Sequence, residues 1–238
     1  MCGRYVHPDD AAIEREWHVG RDESNPFARQ FNVAPTSIVP ILRQDRRSGE
    51  LVLAGARWGL IPHWWKGATP PKLTINARVE EASAKPMWRD AWRRARCLIP
   101  AEGWYEWREL ERVSRETGEV KTYKQPYYIH RADRHPFCFA GLMAFWRTPD
   151  TEETTLSCAI LTKPAAGPAT EVHDRMPVVL PARAFGEWND PLTDATRAQA
   201  IVTESAQSDF VFHPVSTRVN SSKNTGPVLS GPPASPYS

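Results

Sequence analysis

The sequence predicts an α+β fold: a single domain with a curled, barrel-like sheet and a few peripheral helices. Two observations carry this reading. Runs with strand character outnumber helical ones and lack the regular β-α alternation that a doubly wound sheet requires. No Pro-, Gly- or Ser-rich linker divides the middle of the 238 residues, a length one domain can fill around a buried core. The domain is expected over residues 1–229, with residues 230–238 a poorly ordered tail rich in Ser, Pro and Gly.

The elements follow in order. Residues 8–19 (PDDAAIEREWHV) read as a short helix, capped by Asp9 or Asp10, with Ile13 and Trp17 four apart on one face. Residues 36–44 and 50–59 read as strands around a DRRSG turn, and the loop HWWKGATPPK follows, where Pro-Pro stops any regular element. KPMWRDAWRRAR, residues 85–96, is a helix: Trp88, Ala91, Trp92 and Ala95 form its apolar stripe, while Arg89, Arg93 and Arg96 share another side. Strand runs then dominate, in RCLIPAEG, WYEWREL, QPYYIHRA, PFCFAGLMAFW and TTLSCAILT, with Gly118 at the turn of a long hairpin. HDRMPVVLP is a loop feeding a strand, PARAFGEW and TDATRAQAIVTE are helices, and DFVFHPVS is the last strand.

Composition narrows the function classes. Apolar residues are 41% and charged residues 24%, the balance of a soluble globular chain. No run of about 18 apolar residues exists to span a membrane, and the start lacks the apolar stretch of a signal peptide. A cytoplasmic protein with no membrane partner is expected. Four cysteines (Cys2, Cys97, Cys138, Cys158) are widely spaced, with no CxxC pair and no Cys/His cluster, so neither a disulfide framework nor a metal or other cofactor is expected. Net charge is only +2, but basic residues are bunched among the ten tryptophans, in WRDAWRRAR, HWWK and EGWYEWRE. Aromatic faces beside guanidinium groups suit stacking on bases and pairing with phosphate, although the same residues could edge a core beneath a solvated basic face.

The chain has no GxSxG elbow, HExxH helix, Walker loop or GxGxxG. Polar residues in apolar, Pro-rich or Gly-rich contexts remain: Asn76 in KLTINARVEEA, Glu106 in PAEGWYEW, Thr162 in AILTKPA and His173 in EVHDRMPVV. A glutamate between aromatic residues more often faces solvent. Where it faces inward, desolvation raises its pKa and makes it a usable acid or base. Cys2 raises a separate question. If Met1 is removed, Cys2 alone carries a basic amine and a thiol on adjacent carbons, since every other cysteine nitrogen is locked in an amide.

These pieces together resemble the SOS response-associated peptidase family, which acts on abasic sites in single-stranded DNA. The matching segments are MCGRY, FNVAPT, RWGLIPHWW, TINARVE, LIPAEGWYEW, the Thr162 strand, HDRMPVVL and HPVSTRVNSSKN, in family order from Met1 to about Val228. The resemblance implies a single α+β domain around a curved, mostly antiparallel barrel-like sheet. It implies Cys2 as nucleophile, Asn76 and Glu106 as active-site partners and His173 as the residue assisting sugar ring opening. Thr162 would line the same pocket; Arg4, Arg78 and Arg175 match positions that grip phosphates, and Trp64 and Trp65 an aromatic pair near the bases. Lys163 departs from the small residues expected after Thr162 and is expected to point to solvent.

The implied function is to sense abasic sites in single-stranded DNA, or at single-strand/duplex junctions, and to shield them covalently in the DNA damage response. The amine would form an imine with the open-chain sugar aldehyde, and the thiol would close a five-membered thiazolidine. Arg4 would favour the thiolate. A protonated His173 would donate to the sugar oxygen while Glu106 shuttles protons. Proton removal beside the imine would instead give lyase activity. Two other readings compete: a cysteine peptidase or N-terminal-nucleophile hydrolase, acting on amides at large or on the Met1–Cys2 bond alone, and a non-catalytic single-stranded DNA-binding module. A monomer is expected.

Overall fold

The computed structural model describes residues 2–21, 27–45, 47–72, 74–113, 118–149, 151, 153–205 and 209–233. In chain order its elements are β1 (Arg4–His7), α1 (Asp10–Trp17), β2 (Gly20–Arg21), β3 (Gln30–Val33), β4 (Ile38–Gln44), β5 (Leu51–Trp58), β6 (Asn76–Arg78), α2 (Val79–Ala82), α3 (Pro86–Arg94), β7 (Arg96–Ala101), β8 (Gly103–Val113), β9 (Val120–Arg131), β10 (Phe137–Arg147), β11 (Thr154–Pro164), β12 (Arg175–Pro177), β13 (Val179–Leu180), α4 (Phe185–Asn189), α5 (Ala195–Glu204) and β14 (Phe210–Pro214). The expected α+β class is observed.

Five strands close on themselves. The order β5-β4-β7-β10-β11 is antiparallel throughout, and β11 then returns to β5 in parallel, with Ser157 opposite Arg57 and Cys158 opposite Trp58. Closure of this kind leaves the ring without free edges. The second sheet, β14-β9-β8-β1-β3, is antiparallel and packs its inner face on the ring. Trp58, Trp104, Tyr5 and Phe139 fill the space between, all fully buried. Trp104 meets Phe137, Phe139 and Phe210 edge to face at 5.0–6.3 Å, a geometry that adds roughly 0.5–1.5 kcal/mol per pair beyond area burial. A second cluster, with Leu42, Leu98, Leu142, Leu161, Trp92 and Trp188, covers the other side of the ring beneath the helices.

Local chemistry sets the elements. Asp9 caps α1 by accepting from the Ala12 amide at 2.8 Å, and His18 ends it in the left-handed region at φ 51°. Pro86 opens α3, whose buried side is Trp88, Ala91 and Trp92, as the stripe predicts. Gly103 stands where β1, β8 and β9 meet, opposite Val6 and His130; a Cβ there would lie 2.4 Å from the Tyr128 ring and 2.6 Å from the Ile129 carbonyl. Gly118 enters β9 at φ +69°, consistent with its expected place in the hairpin turn.

Four short strands escape the sequence pattern: β1, β2, β3 and β6 have four residues or fewer, too short to show an alternation. Part of the segment read as a tail, residues 230–233, is described. Leu229 is buried and His213 Nε2 lies 2.9 Å from the Ser230 carbonyl; residues 234–238 lie outside the described residues.

The arginine stripe expected on the 85–96 helix is corrected at its end. The helix stops at Arg94, leaving Arg89 and Arg93 exposed, while Arg96 starts β7 and is 2% exposed. Its guanidinium donates to the carbonyls of Trp188, Trp92, Arg93, Asp190 and Thr193 at 2.6–3.3 Å. One buried cation therefore ties α3 to the segment around α4. Arg96→Leu is expected to destabilise the fold by at least about 3 kcal/mol, read as a lowered denaturant midpoint, because several buried carbonyls lose a charged donor together.

Candidate active site

Three neighbouring strands bring most of the site residues together. Near its C-terminal end β11 is flanked by β6 in parallel, with Ile160 opposite Asn76 and Thr162 opposite Arg78. On the other side β12 runs antiparallel, with Thr162 opposite Pro177 and Pro164 opposite Arg175. His173 sits in the turn before β12. Glu106 comes from β8 of the other sheet, and Cys2 leads into β1.

Contacts link these groups into one cluster. Asn76 Nδ2 donates to the Cys2 carbonyl at 2.7 Å, fixing the chain start against β6. The buried Asn76 Oδ1 has no hydrogen-bond partner among the described residues, so it is an acceptor held ready for an incoming donor. His173 Nε2 lies 4.0 Å from Glu106 Oε2, near enough for electrostatic coupling but too long for a hydrogen bond. On the other ring nitrogen, Nδ1 is 2.9 Å from the Arg175 amide and 2.6 Å from Asp174 Oδ1. The two contacts belong to different proton placements: Nδ1 without a proton accepts from the amide, whereas Nδ1–H, in the other neutral tautomer or in the imidazolium, donates to Asp174.

Burial sets the proton affinities. Glu106 is 2% exposed, and desolvation pushes its carboxyl up to about 7. At neutral pH it is present both as acid and as base. His173 moves the other way, below 6.5, chiefly through desolvation, so its neutral ring prevails at pH 7. The Cys2 thiol is raised well above its ordinary value by burial and then by the nearby Glu106 carboxylate. It therefore rests protonated and needs a base to react.

This corrects the expectation for Arg4. Its guanidinium donates to Asn32 Oδ1 at 2.8 Å and to the carbonyls of Val219 and Asn220 at 3.0 and 3.3 Å, clamping the C-terminal segment instead of lowering the thiol. Arg175 is 12% exposed and forks onto both Glu80 oxygens at 2.7 and 3.0 Å, with a further bond to the Thr162 carbonyl at 2.7 Å. A phosphate reaching Arg175 has to displace Glu80. Thr162 is fully buried on β11, between β6 and β12. Arg78 is exposed beside it. Lys163 does not point to solvent: Nζ donates to the Ser205 carbonyl at the end of α5, at 2.6 Å.

Trp64 and Trp65 occupy the loop between β5 and β6. Their rings are 6.2 Å apart, Trp64 is 41% exposed, and Trp146 Nε1 on β10 donates to the Trp65 carbonyl. A cavity of about 630 Å³ opens beside Trp64, Met87, Phe145 and Leu192, but none of Cys2, Asn76, Glu106 and His173 lines it. The reactive groups, not this cavity, define the site. Among the described residues no cluster of three or more His, Cys, Asp or Glu is placed to hold a metal ion, and no helix is long and apolar enough to cross a membrane. Sequence reasoning missed Glu80, although its place two residues beyond Arg78, at the start of α2, was a visible signal.

Comparison with known proteins adds a separate line. A family model described as SOS response associated peptidase matches residues 1–222. Abasic site processing protein YoqW of Bacillus subtilis (strain 168) is 34% identical over 235 residues, covering 96% of this chain and 98% of the relative. Abasic site processing protein YedK of Escherichia coli (strain K12) is 33% identical over 243 residues, covering 98% and 100%. Among solved structures, a Bacteroides thetaiotaomicron protein superposes with a TM-score of 0.78 at 21% identity, covering 98% of this chain and all of that one, a likeness of fold alone. A phage-related protein of Bordetella bronchiseptica reaches 0.67 at 32% identity, covering 90% and 94%.

Proposed function

The chain belongs to the SOS response associated peptidase family, and from that premise we propose that it processes abasic sites by coupling Cys2 covalently to the sugar aldehyde in single-stranded DNA. The observation that carries the reading is the junction of Cys2 with Asn76 and with Glu106, a carboxyl raised to about 7. Removal of Met1 precedes the chemistry, since only then does Cys2 hold a basic amine.

The steps follow from the proton affinities. The Cys2 amine adds to the aldehyde carbon, and the carbinolamine loses water to give an imine. Glu106 in its acid form supplies the proton that leaves with that water. The imine so formed is protonated; Glu106 as carboxylate then takes the proton of the Cys2 thiol, and sulfur adds to the imine carbon as the C=N electron pair returns to nitrogen, which keeps its one proton. The product is a thiazolidine, and the balance is the loss of a single water. Holding amine, thiol and carboxyl in place makes ring closure intramolecular, an advantage of several kcal/mol. His173, neutral at pH 7, donates a hydrogen bond through Nε2–H to the sugar oxygen and leaves the full proton to Glu106. Asn76 Oδ1 accepts from a sugar hydroxyl or from the amine. Should Glu106 instead take the proton beside the imine, β-elimination cuts the strand, so lyase activity competes with ring closure.

The aldehyde is the point of attack, which sets the test. A strand with a natural abasic site is expected to form an adduct that survives a denaturing gel. The same strand with its aldehyde reduced to an alcohol is expected to bind reversibly and form none. Equal coupling of both strands would overturn the reading.

A further inference from the structure

Side chains two residues apart along a strand share a face, and β8 starts at Gly103 inside the core but runs outward to Val113. Its burial changes from complete at Gly103–Glu106 to mostly exposed from Arg108 on; its partner β9 mirrors this, exposed from Val120 to Lys124. The β8–β9 hairpin is therefore an arm projecting from the sheet that carries Glu106.

The two faces of this arm differ in charge. On the Glu106 face lie Arg108, Leu110 and Arg112, opposite Gln125, Tyr123 and Lys121 in register. Among the described, paired residues that face holds three cations, one aromatic ring and no carboxylate between Arg108 and Lys121. The opposite face takes the strand acids, Glu109 and Glu111, with Lys124 and Thr122 across from them. Arg108 and Arg112 make no hydrogen bond or ion pair among the described residues. Lys121 has an ion pair of 3.2 Å with Glu119, whose side chains are 70% and 59% exposed, a contact worth little in water.

We propose that this face is an arm for the DNA strand leaving the reaction site: Arg108, Arg112 and Lys121 pair with its phosphates, and Tyr123 stacks on a base. The inference rests on the proposed function, which puts the reacting sugar at Glu106. Six residues of strand from Glu106 to Arg112 cover about 20 Å, so the arm extends the binding track well beyond the lesion. Phosphate pairing of this kind carries no sequence preference.

The test compares wild type with an Arg108→Ser/Arg112→Ser/Lys121→Ser variant on a long single-stranded abasic oligonucleotide. Loss of three phosphate contacts is expected to flatten the slope of log affinity against log salt by about 2. Adduct yield on a saturating short oligonucleotide, confined to the site, is expected to stay at the wild-type level. An unchanged slope would overturn the arm, as would an equal change from Lys124→Ser alone on the opposite face. A flattened slope in a protein that forms no adduct would overturn the proposed chemistry and leave the arm standing.

Discussion

Cys2→Ala is expected to abolish the covalent adduct with abasic single-stranded DNA while leaving reversible affinity within about twofold. Alanine keeps the terminal amine, so an imine can still form, but with no sulfur to close the ring it hydrolyses back. Borohydride added during the reaction should therefore trap a variant adduct that is absent without it. On the proposed reading the remaining contacts to the strand would come from Arg78, the tryptophan loop and the hairpin arm, none of which depends on the thiol. Cys2 itself is 1% exposed, and alanine removes only a sulfur from its site. Denaturing gels with and without reductant check the outcome.

Glu106→Gln carries the second large effect, and it acts in two directions. Adduct formation should slow by about 10²–10³-fold, the usual scale for losing a general acid–base group, and the rate should lose its inflection near pH 7. Stability should change with the opposite sign. Burial raises the folded-state carboxyl from 4.5 to about 7. Below 4.5 both states hold the proton, and wild type and variant are matched. As pH climbs from 4.5 to about 7 the unfolded chain has released its proton while the folded chain retains it, so wild-type stability falls. Glutamine mimics the protonated form and escapes this loss. At pH 8 the variant should be more stable by up to about 3 kcal/mol, and at pH 4 by nothing. Paired denaturation curves at the two pH values read this directly. A carboxyl kept at such a cost in stability is what the proposed proton-transfer role of Glu106 would require.

Legibility from sequence followed length and periodicity. The helices α1 and α3 and the strands from β7 to β11 are long enough to display their spacing, and each lies where the pattern put it. The three-residue β6 carries Asn76 and Arg78, yet its pairing with β11 is parallel and distant in sequence, which no local pattern reveals. The cluster of Cys2, Asn76, Glu106 and His173 came from the family resemblance, since spacing alone left Glu106 and His173 open to ordinary surface roles. The surroundings of the arginines were not legible: Arg96 is buried on carbonyls, and Arg4 and Arg175, read as phosphate positions, also bond carbonyls and a carboxylate. A sequence shows that a cation is present; only the fold shows which acceptors surround it.

The proposed thiazolidine requires a free aminothiol at Cys2. Intact mass spectrometry of the purified protein, before and after exposure to abasic single-stranded DNA, tests this most directly. The account predicts a chain lighter by one methionine residue, which then gains the mass of the oligonucleotide less one water. A chain that keeps Met1 and still couples to the strand in full yield would contradict it.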